Sequence, residues 1–258
     1  MDYNTLANDL INDVNTVSKQ GLNGLSRCAA VLINNSKTTN NFIKTFLGSM
    51  TNVRDEINTM FAALCVGEIG RIVDLSGQSN ITDALIGLFN QRSEDIKTSA
   101  SLGLGNLAVG NLQVYLPIIL QRFQIQEHRY LLLIALKQVI SSHFNVMQPY
   151  IQTLLPLLFE HCESPEEGVR NLVAECLGKL FMASYSDLID PLETNLKARS
   201  PLTRATVSSA LKFATTKNSD VEGISLILDE FLTTLSDQDI NVKKCSLLSL
   251  NALVHNLP

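Results

Sequence analysis

One basic residue returns beside the start of an apolar stripe, at Lys97, Arg129, Arg170, Arg204 and Lys243, at intervals of 32, 41, 34 and 39 residues. A period of this size means one supersecondary unit used repeatedly, and it fits units of paired helices of the HEAT or armadillo kind. The clearest copy runs from Ser164 to Phe181. Ser164 reads as a helix cap and Pro165 as the first helical residue, where a missing N–H costs nothing. Glu167, three residues past the cap, completes a capping box. Apolar residues follow at Val169, Leu172, Val173, Cys176, Leu177, Leu180 and Phe181, which is one face of a helix.

Four other segments repeat the template. They are Ile96, Ala100, Gly103, Leu104, Leu107, Ala108; Leu131, Leu132, Ala135, Leu136, Val139, Ile140; Thr206, Val207, Ala210, Leu211, Ala214, after Ser200-Pro201; and Val242, Cys245, Leu250, Leu253, Val254. A second register agrees with the first. Pro117, Pro156 and Pro191 each stand 12 to 14 residues before a basic residue of the series, inside apolar stretches such as Leu155-Pro156-Leu157. Proline inside a helix normally kinks it, so a proline repeated in step marks the first helix of each pair.

The predicted pairs are 38–50 with 53–72, 80–91 with 94–109, 111–124 with 127–142, 148–161 with 164–182, 185–197 with 200–215 and 221–235 with 238–255. A poorer pair falls within 2–34, where Leu22, Leu25, Ala29 and Leu32 suggest a packed face. The expected fold is all-α. It is a HEAT/armadillo-like α-solenoid of stacked antiparallel helix pairs forming a right-handed superhelix. Residues 1–258 are expected to form a single array of about six to seven pairs, with 1–37 the weakest match.

Composition limits the function classes. With 45% apolar and 17% charged residues the chain has core material and is no disordered segment. A net charge of −5 argues against a nucleic-acid partner, whose phosphates call for a basic face. The longest apolar run, Tyr130 to Leu136, is far too short to span a membrane. Met1-Asp2-Tyr3-Asn4 lacks the basic start and apolar stretch of a signal peptide. The five cysteines, Cys28, Cys65, Cys162, Cys176 and Cys245, show no metal-ligand spacing; four of them sit among apolar residues at helical spacing, and buried, inert thiols of a reducing compartment are expected. An intracellular protein follows from these signals, so Asn34-Asn35-Ser36 and Asn80-Ile81-Thr82 are not read as glycosylation sites.

Other motifs have structural readings. Gly103-Leu104-Gly105 with Gly110 is weakly similar to a phosphate-binding loop, but such a loop must follow a strand and open a helix. These glycines fall in mid-helix, where Gly105 matches Gly67 and Gly178 in register and lets helices approach closely. His128, His143, His161 and His255 have no second histidine at metal spacing, and His161-Cys162-Glu163 is expected to be structural. Asp237-Gln238-Asp239 reads as a turn and helix start, since the later ligands of a calcium loop are absent. The basic column is expected to tie each cation to carboxylates or carbonyls of the adjacent turn; the competing reading is a cationic ladder for an acidic partner. Asp237 stands at the pairing distance before Lys243, and Glu163 and Glu94 are near misses for Arg170 and Lys97.

Five local strings resemble those of the cullin-associated, neddylation-dissociated proteins. They are Leu64 through Gly67-Glu68-Ile69-Gly70 to Asp74-Leu75-Ser76-Gly77-Gln78, Val109-Gly110-Asn111-Leu112 to Tyr115-Leu116-Pro117, Arg129-Tyr130-Leu131-Leu132-Leu133, His161-Cys162-Glu163, and Glu166-Glu167-Gly168 through Arg170-Asn171 to Val173-Ala174-Glu175-Cys176-Leu177-Gly178-Lys179-Leu180. The resemblance covers about residues 60 to 258. It implies a segment from the C-terminal half of a long HEAT superhelix. Such proteins wrap the unneddylated cullin–RING core and promote exchange of substrate receptors in SCF assembly. The family's β-hairpin is expected shortly after Pro258.

The implied partners are a cullin and its RING subunit, with no nucleic acid, membrane or small-molecule substrate. The resemblance implies no catalytic residue, cofactor or metal, and a cytoplasmic and nuclear protein. The family binds cullin over a dispersed surface, so no contact residue carries over. Two other readings compete. One is another HEAT scaffold, such as a nuclear transport receptor or a phosphatase scaffold subunit. The other is an enzyme holding nucleotide at the Gly103 region.

Overall fold

The computed structural model describes residues 2–78, 80–143, 146–214 and 221–256. Among the described residues there are fourteen α-helices and no strand. They fall into two compact units, Met1–Val139 and Ile140–Pro258. The first unit holds α1 (Tyr3–Asn12), α2 (Leu22–Asn34), α3 (Thr39–Thr51), α4 (Glu56–Ile72), α5 (Ile81–Gly87), α6 (Glu94–Gly110), α7 (Leu112–Arg122) and most of α8 (Arg129–His143). The second holds α9 (Ile151–Glu160), α10 (Glu167–Ala183), α11 (Tyr185–Leu196), α12 (Pro201–Ala210), α13 (Val221–Thr233) and α14 (Ile240–Asn256).

Each unit is an α-solenoid of stacked helix pairs. In the first, α2 lies on α4 and α4 on α6, while α3 lies on α5; in the second, α10 lies on α12 and α12 on α14, while α11 lies on α13. The second helices of successive pairs thus form one layer and the first helices another. A helix inside such a layer is covered on several sides, so it need not be amphipathic. In α4 every residue from Thr59 to Gly70 is buried. Helix starts follow capping chemistry: Asp55 accepts from Asn58 N–H at 2.7 Å, Ser93 from Ile96 N–H at 3.3 Å and Ser200 from Thr203 N–H at 3.5 Å, with Pro201 at the first helical turn. Pro117, Pro156 and Pro191 lie inside α7, α9 and α11.

Four local expectations are corrected. Helix α10 starts at Glu167, not at Pro165. His161–Glu163 forms a 3-10 turn first, and Ser164 Oγ accepts from Glu166 N–H at 3.3 Å, a side-chain turn in place of a capping box. The weak first pair is a true pair, α1 with α2, but α2 buries Leu22, Ser26, Ala29, Ala30 and Ile33, leaving Leu25 and Leu32 only half-buried. The buried face includes the small Ser26 and Ala30, which a search for large apolar side chains passes over. Helix α12 ends at Ala210 and passes into a turn; Thr215, the expected end, lies outside the described residues, as does Met1. In α14 the buried face is Val242, Ser246, Ser249 and Leu253, whereas Val254 is 70% exposed. The serines are buried with their hydroxyls satisfied: Ser249 donates to Ser208 O of α12 at 2.7 Å, and Ser246 donates to Val242 O of its own helix at 2.8 Å and lies 2.6 Å from Thr234 Oγ1.

Candidate interaction surface

The basic column is a set of braces. Arg129 Nε donates to Phe123 O at 3.3 Å, Arg170 Nη1 to Ser164 O at 2.6 Å and Arg204 Nη1 to Ala198 O at 2.8 Å. In all three the carbonyl stands six residues back, in the turn between the two helices of a pair. The turn's orphan carbonyls thus gain a charged donor from within the pair. Lys97, too short for this, pairs with Glu94 at 2.7 Å in the first turn of α6.

Asp237 does not take the partner its spacing suggests. Its carboxylate receives Arg204 Nε at 2.7 Å and Nη2 at 2.9 Å, a bidentate tie from the preceding pair. Hydrogen bonding from Arg204 holds the Asp237 carboxyl below its ordinary range, and Lys243 acts on it only through its charge. Glu163 likewise accepts from Thr203 Oγ1 of the next pair at 3.0 Å and not from Arg170. Asp239 is the start of α14, accepting from Asn241 and Val242 N–H at 2.8 and 3.2 Å.

Along the layer of second helices in the first unit runs a polar ladder absent from the sequence reading. Arg27 Nε donates to Glu68 Oε1 at 3.4 Å, Asn106 Nδ2 to the same oxygen at 3.1 Å and Gln138 Nε2 to Asn106 Oδ1 at 2.9 Å. The rungs are 41, 38 and 32 residues apart, one per pair. Beside them stand Gly67 and Gly105, each facing the next second helix. A Cβ on Gly67 would sit 2.5 Å from Gly103 Cα, and one on Gly105 would sit 2.7 Å from Ala135 O. These glycines are backbone contacts between helices, and among the described residues no strand precedes them to make a phosphate loop.

In the second unit a groove of about 590 Å³ lies across α10, α12 and α14. Leu202, Ala205, Phe213 and Leu248 give it an apolar floor; Lys212 and Lys244 with Glu167 and Asp239 give it walls of both charges. Leu202 and Leu248 are 36% and 53% exposed. The sequence reading missed these residues because the groove is assembled from three pairs whose spacings differ.

His128 is buried against Phe89, edge to face at 5.4 Å, with Nε2 3.2 Å from Asn90 Oδ1. Burial lowers its pKa from the ordinary 6.5. A base whose folded pKa is depressed leaves the unfolded chain to bind the proton first, so stability falls as pH drops below 6.5. We expect urea midpoints to decline from pH 7 to 5, with a shallower decline in His128→Asn. His161 is buried, His143 and His255 lie in the last turns of α8 and α14, and among the described residues no group of three or more His, Cys, Asp or Glu is placed to hold a metal ion.

Cys65, Cys162 and Cys176 are buried. Burial pushes the Cys65 thiol well up and that of Cys162 up to about 12, so neither offers a thiolate. The expectation of buried thiols fails for Cys28, which is exposed, and for Cys245, half-buried on the groove wall. Among the described residues no helix is long and apolar enough to cross a membrane.

No family model matches the chain. Curated relatives do. The cullin-associated NEDD8-dissociated protein 1 of Dictyostelium discoideum is 36% identical over 253 residues, 94% of this chain and 20% of that protein. The protein of the same name from Drosophila melanogaster is 37% identical over 258 residues, 95% of this chain and 20% of that one. The C-terminal part of such a protein from Emericella nidulans is 27% identical across 98% of this chain and 24% of its own length. The chain therefore spans about a fifth of the length of the first two.

Proposed function

The chain belongs to the cullin-associated, NEDD8-dissociated family, and on that premise we propose that it is a protein-binding scaffold for a cullin. The finer reading is that it engages the unneddylated core of a cullin–RING ligase, in contact with cullin and RING subunit, and serves exchange of substrate receptors. In this reading it works in cytoplasm and nucleus, without catalysis or cofactor. The observation that carries it is identity of 36% and 37% along 94% and 95% of the chain to relatives whose names state cullin association. The physical case agrees with it: paired helices that pack on their neighbours present long surfaces and no enclosed chemistry.

Affinity in such a scaffold is assembled from many modest contacts spread over successive pairs. A chain covering about a fifth of its relatives should hold only part of a partner. We expect weak, salt-sensitive retention of the N-terminal region of an unneddylated cullin, with no displacement of a preloaded substrate adaptor. An equilibrium pull-down on the folded chain tests both statements. No retention at any salt concentration would remove the cullin reading, and tight binding with full displacement would refute the partial-contact argument.

A further inference from the structure

We propose that the outward face of the last helix pair, α13 with α14, is the interface of a symmetric dimer of this chain. Such a dimer forms whether or not the chain binds a cullin. The register of the basic column singles out this face. Four places after the basic residue stand Ser101, Leu133, Ala174 and Ser208, and all four are fully buried. The carbonyl of Ser208 accepts from Ser249 of the next pair, so this position lies under a neighbour. The same place in α14 is Leu247, which is 58% exposed. Eleven places after the basic residue, Ala108, Ile140 and Phe181 are buried, whereas Val254 is 70% exposed.

Helix geometry gathers these side chains on one side. At about 100° per residue, Ile240, Leu247 and Val254 fall within about 40° of one another, turned away from the buried Val242, Ser246, Ser249 and Leu253. On α13, Leu226 and Leu232 are exposed as well. Exposed apolar side chains concentrated on one helix pair mark a surface for another protein.

Charge selects the occupant. Helix α13 carries Glu222, Asp229 and Glu230 and no cation; α14 carries Lys243, Lys244 and His255 and no carboxylate. Glu230 is tied to Lys197 at 2.6 Å, and Lys243 acts on Asp237. Asp229 and Lys244 are exposed, and neither makes an ion pair or hydrogen bond among the described residues. A two-fold axis through the face lays α13 of one copy on α14 of the other, twice over. Each Asp229 then approaches Lys244 of the second copy while the apolar side chains close between them. A two-fold interface needs a patch that is its own complement, and an acidic helix beside a basic one is such a patch. Head-to-tail stacking fits worse. With first helix on first helix, the acidic α13 would meet α1, which with its flanking residues carries Asp2, Asp9 and Asp13 and no cation.

The test is sedimentation velocity of the full chain over a wide range of concentration. We expect the mass to rise from one chain and to level at two. Leu247→Asp should weaken the dimer at least about tenfold. Its side chain is exposed, so thermal melts of dilute samples should match the wild type. Asp229→Lys and Lys244→Asp should each weaken the dimer about tenfold at low salt, because each sets like charges together. An equal mixture of these two variants should dimerise like the wild type, since each copy then offers what the other lacks. A chain that stays monomeric, a mass that climbs past two, a dimer indifferent to Leu247→Asp, or charge variants that do not recover on mixing would overturn the proposal. Should Leu247→Asp fail to fold, the charge variants alone decide it.

Discussion

Gly178→Leu should lower the urea midpoint of unfolding, at a cost of about 1–3 kcal/mol. Gly178 lies in the middle of α10 and faces α12. A Cβ there would run into the Ala210 carbonyl oxygen, 2.7 Å from Phe213 Cβ and 3.0 Å from Ala214 N. Two of these atoms belong to the backbone at the end of α12 and cannot rotate aside. The helix or its neighbour must move, and every contact between the two is loosened. Glycine in a helix interior is intrinsically costly, by about 0.5–1 kcal/mol against alanine. Even Gly178→Ala, which relieves that cost, should therefore destabilise. Gly48 in α3 supplies the opposite case, with nothing within 4 Å of its absent Cβ. Gly48→Ala should stabilise by about 0.5–1 kcal/mol. Equal effects at the two positions would mean that the helices of the second unit do not approach as closely as described.

Asp237→Ala should cost about 1.5–3 kcal/mol, the range for hydrogen bonds to a charged group. The pair is well covered, with Arg204 and Asp237 side chains 18% and 10% exposed. Removing the carboxylate strands Nε and Nη2, while Nη1 stays on the carbonyls of Ala198 and Arg199 at 2.8 and 2.9 Å. Arg204→Lys should not rescue the loss, because one ammonium cannot brace a turn and grip a carboxylate across pairs together. The pH dependence has a definite sign. Hydrogen bonding from Arg204 places the folded pKa of Asp237 below its ordinary 3.8. The unfolded chain takes up the proton first, so this stabilisation is complete above 3.8 and is lost as pH falls through the folded value. Urea midpoints of wild type and Asp237→Ala should be well separated at pH 7 and converge in that acid range. A separation that persists at the lowest pH would show that the tie owes little to the carboxylate's charge.

The order of helices, their pairing and the place of the basic column were legible in the sequence. Apolar spacing fixes which face of a helix is covered, and a repeat shows the same face several times, so chance matches at Val169–Phe181 or Ile96–Ala108 are averaged out. The braces from Arg129, Arg170 and Arg204 are local, each reaching six residues back, and local offsets are what a sequence records. Apart from the start of α10, the errors of pairing fall where a partner comes from another pair. Spacing assigned Asp237 to Lys243, yet the structure gives it to Arg204. Apolar spacing finds Leu22 and Ala29 in α2 and Val242 and Leu253 in α14, but it passes over the buried Ser26, Ser246 and Ser249.

The candidate surface was not legible at all. Lys244, Leu248, Lys212 and Leu202 become one groove only after three pairs are stacked, and the offset between pairs varies from 32 to 41 residues with loop length. Periodicity along the chain thus determined the helices and the faces they bury, since those depend on a rotation of 100° per residue that the sequence carries. Which rung meets which in the first unit, and where a groove opens in the second, depends on how far each pair slides on the next. Close contact of glycine, alanine and serine backbones sets that slide, and only the folded chain contains it.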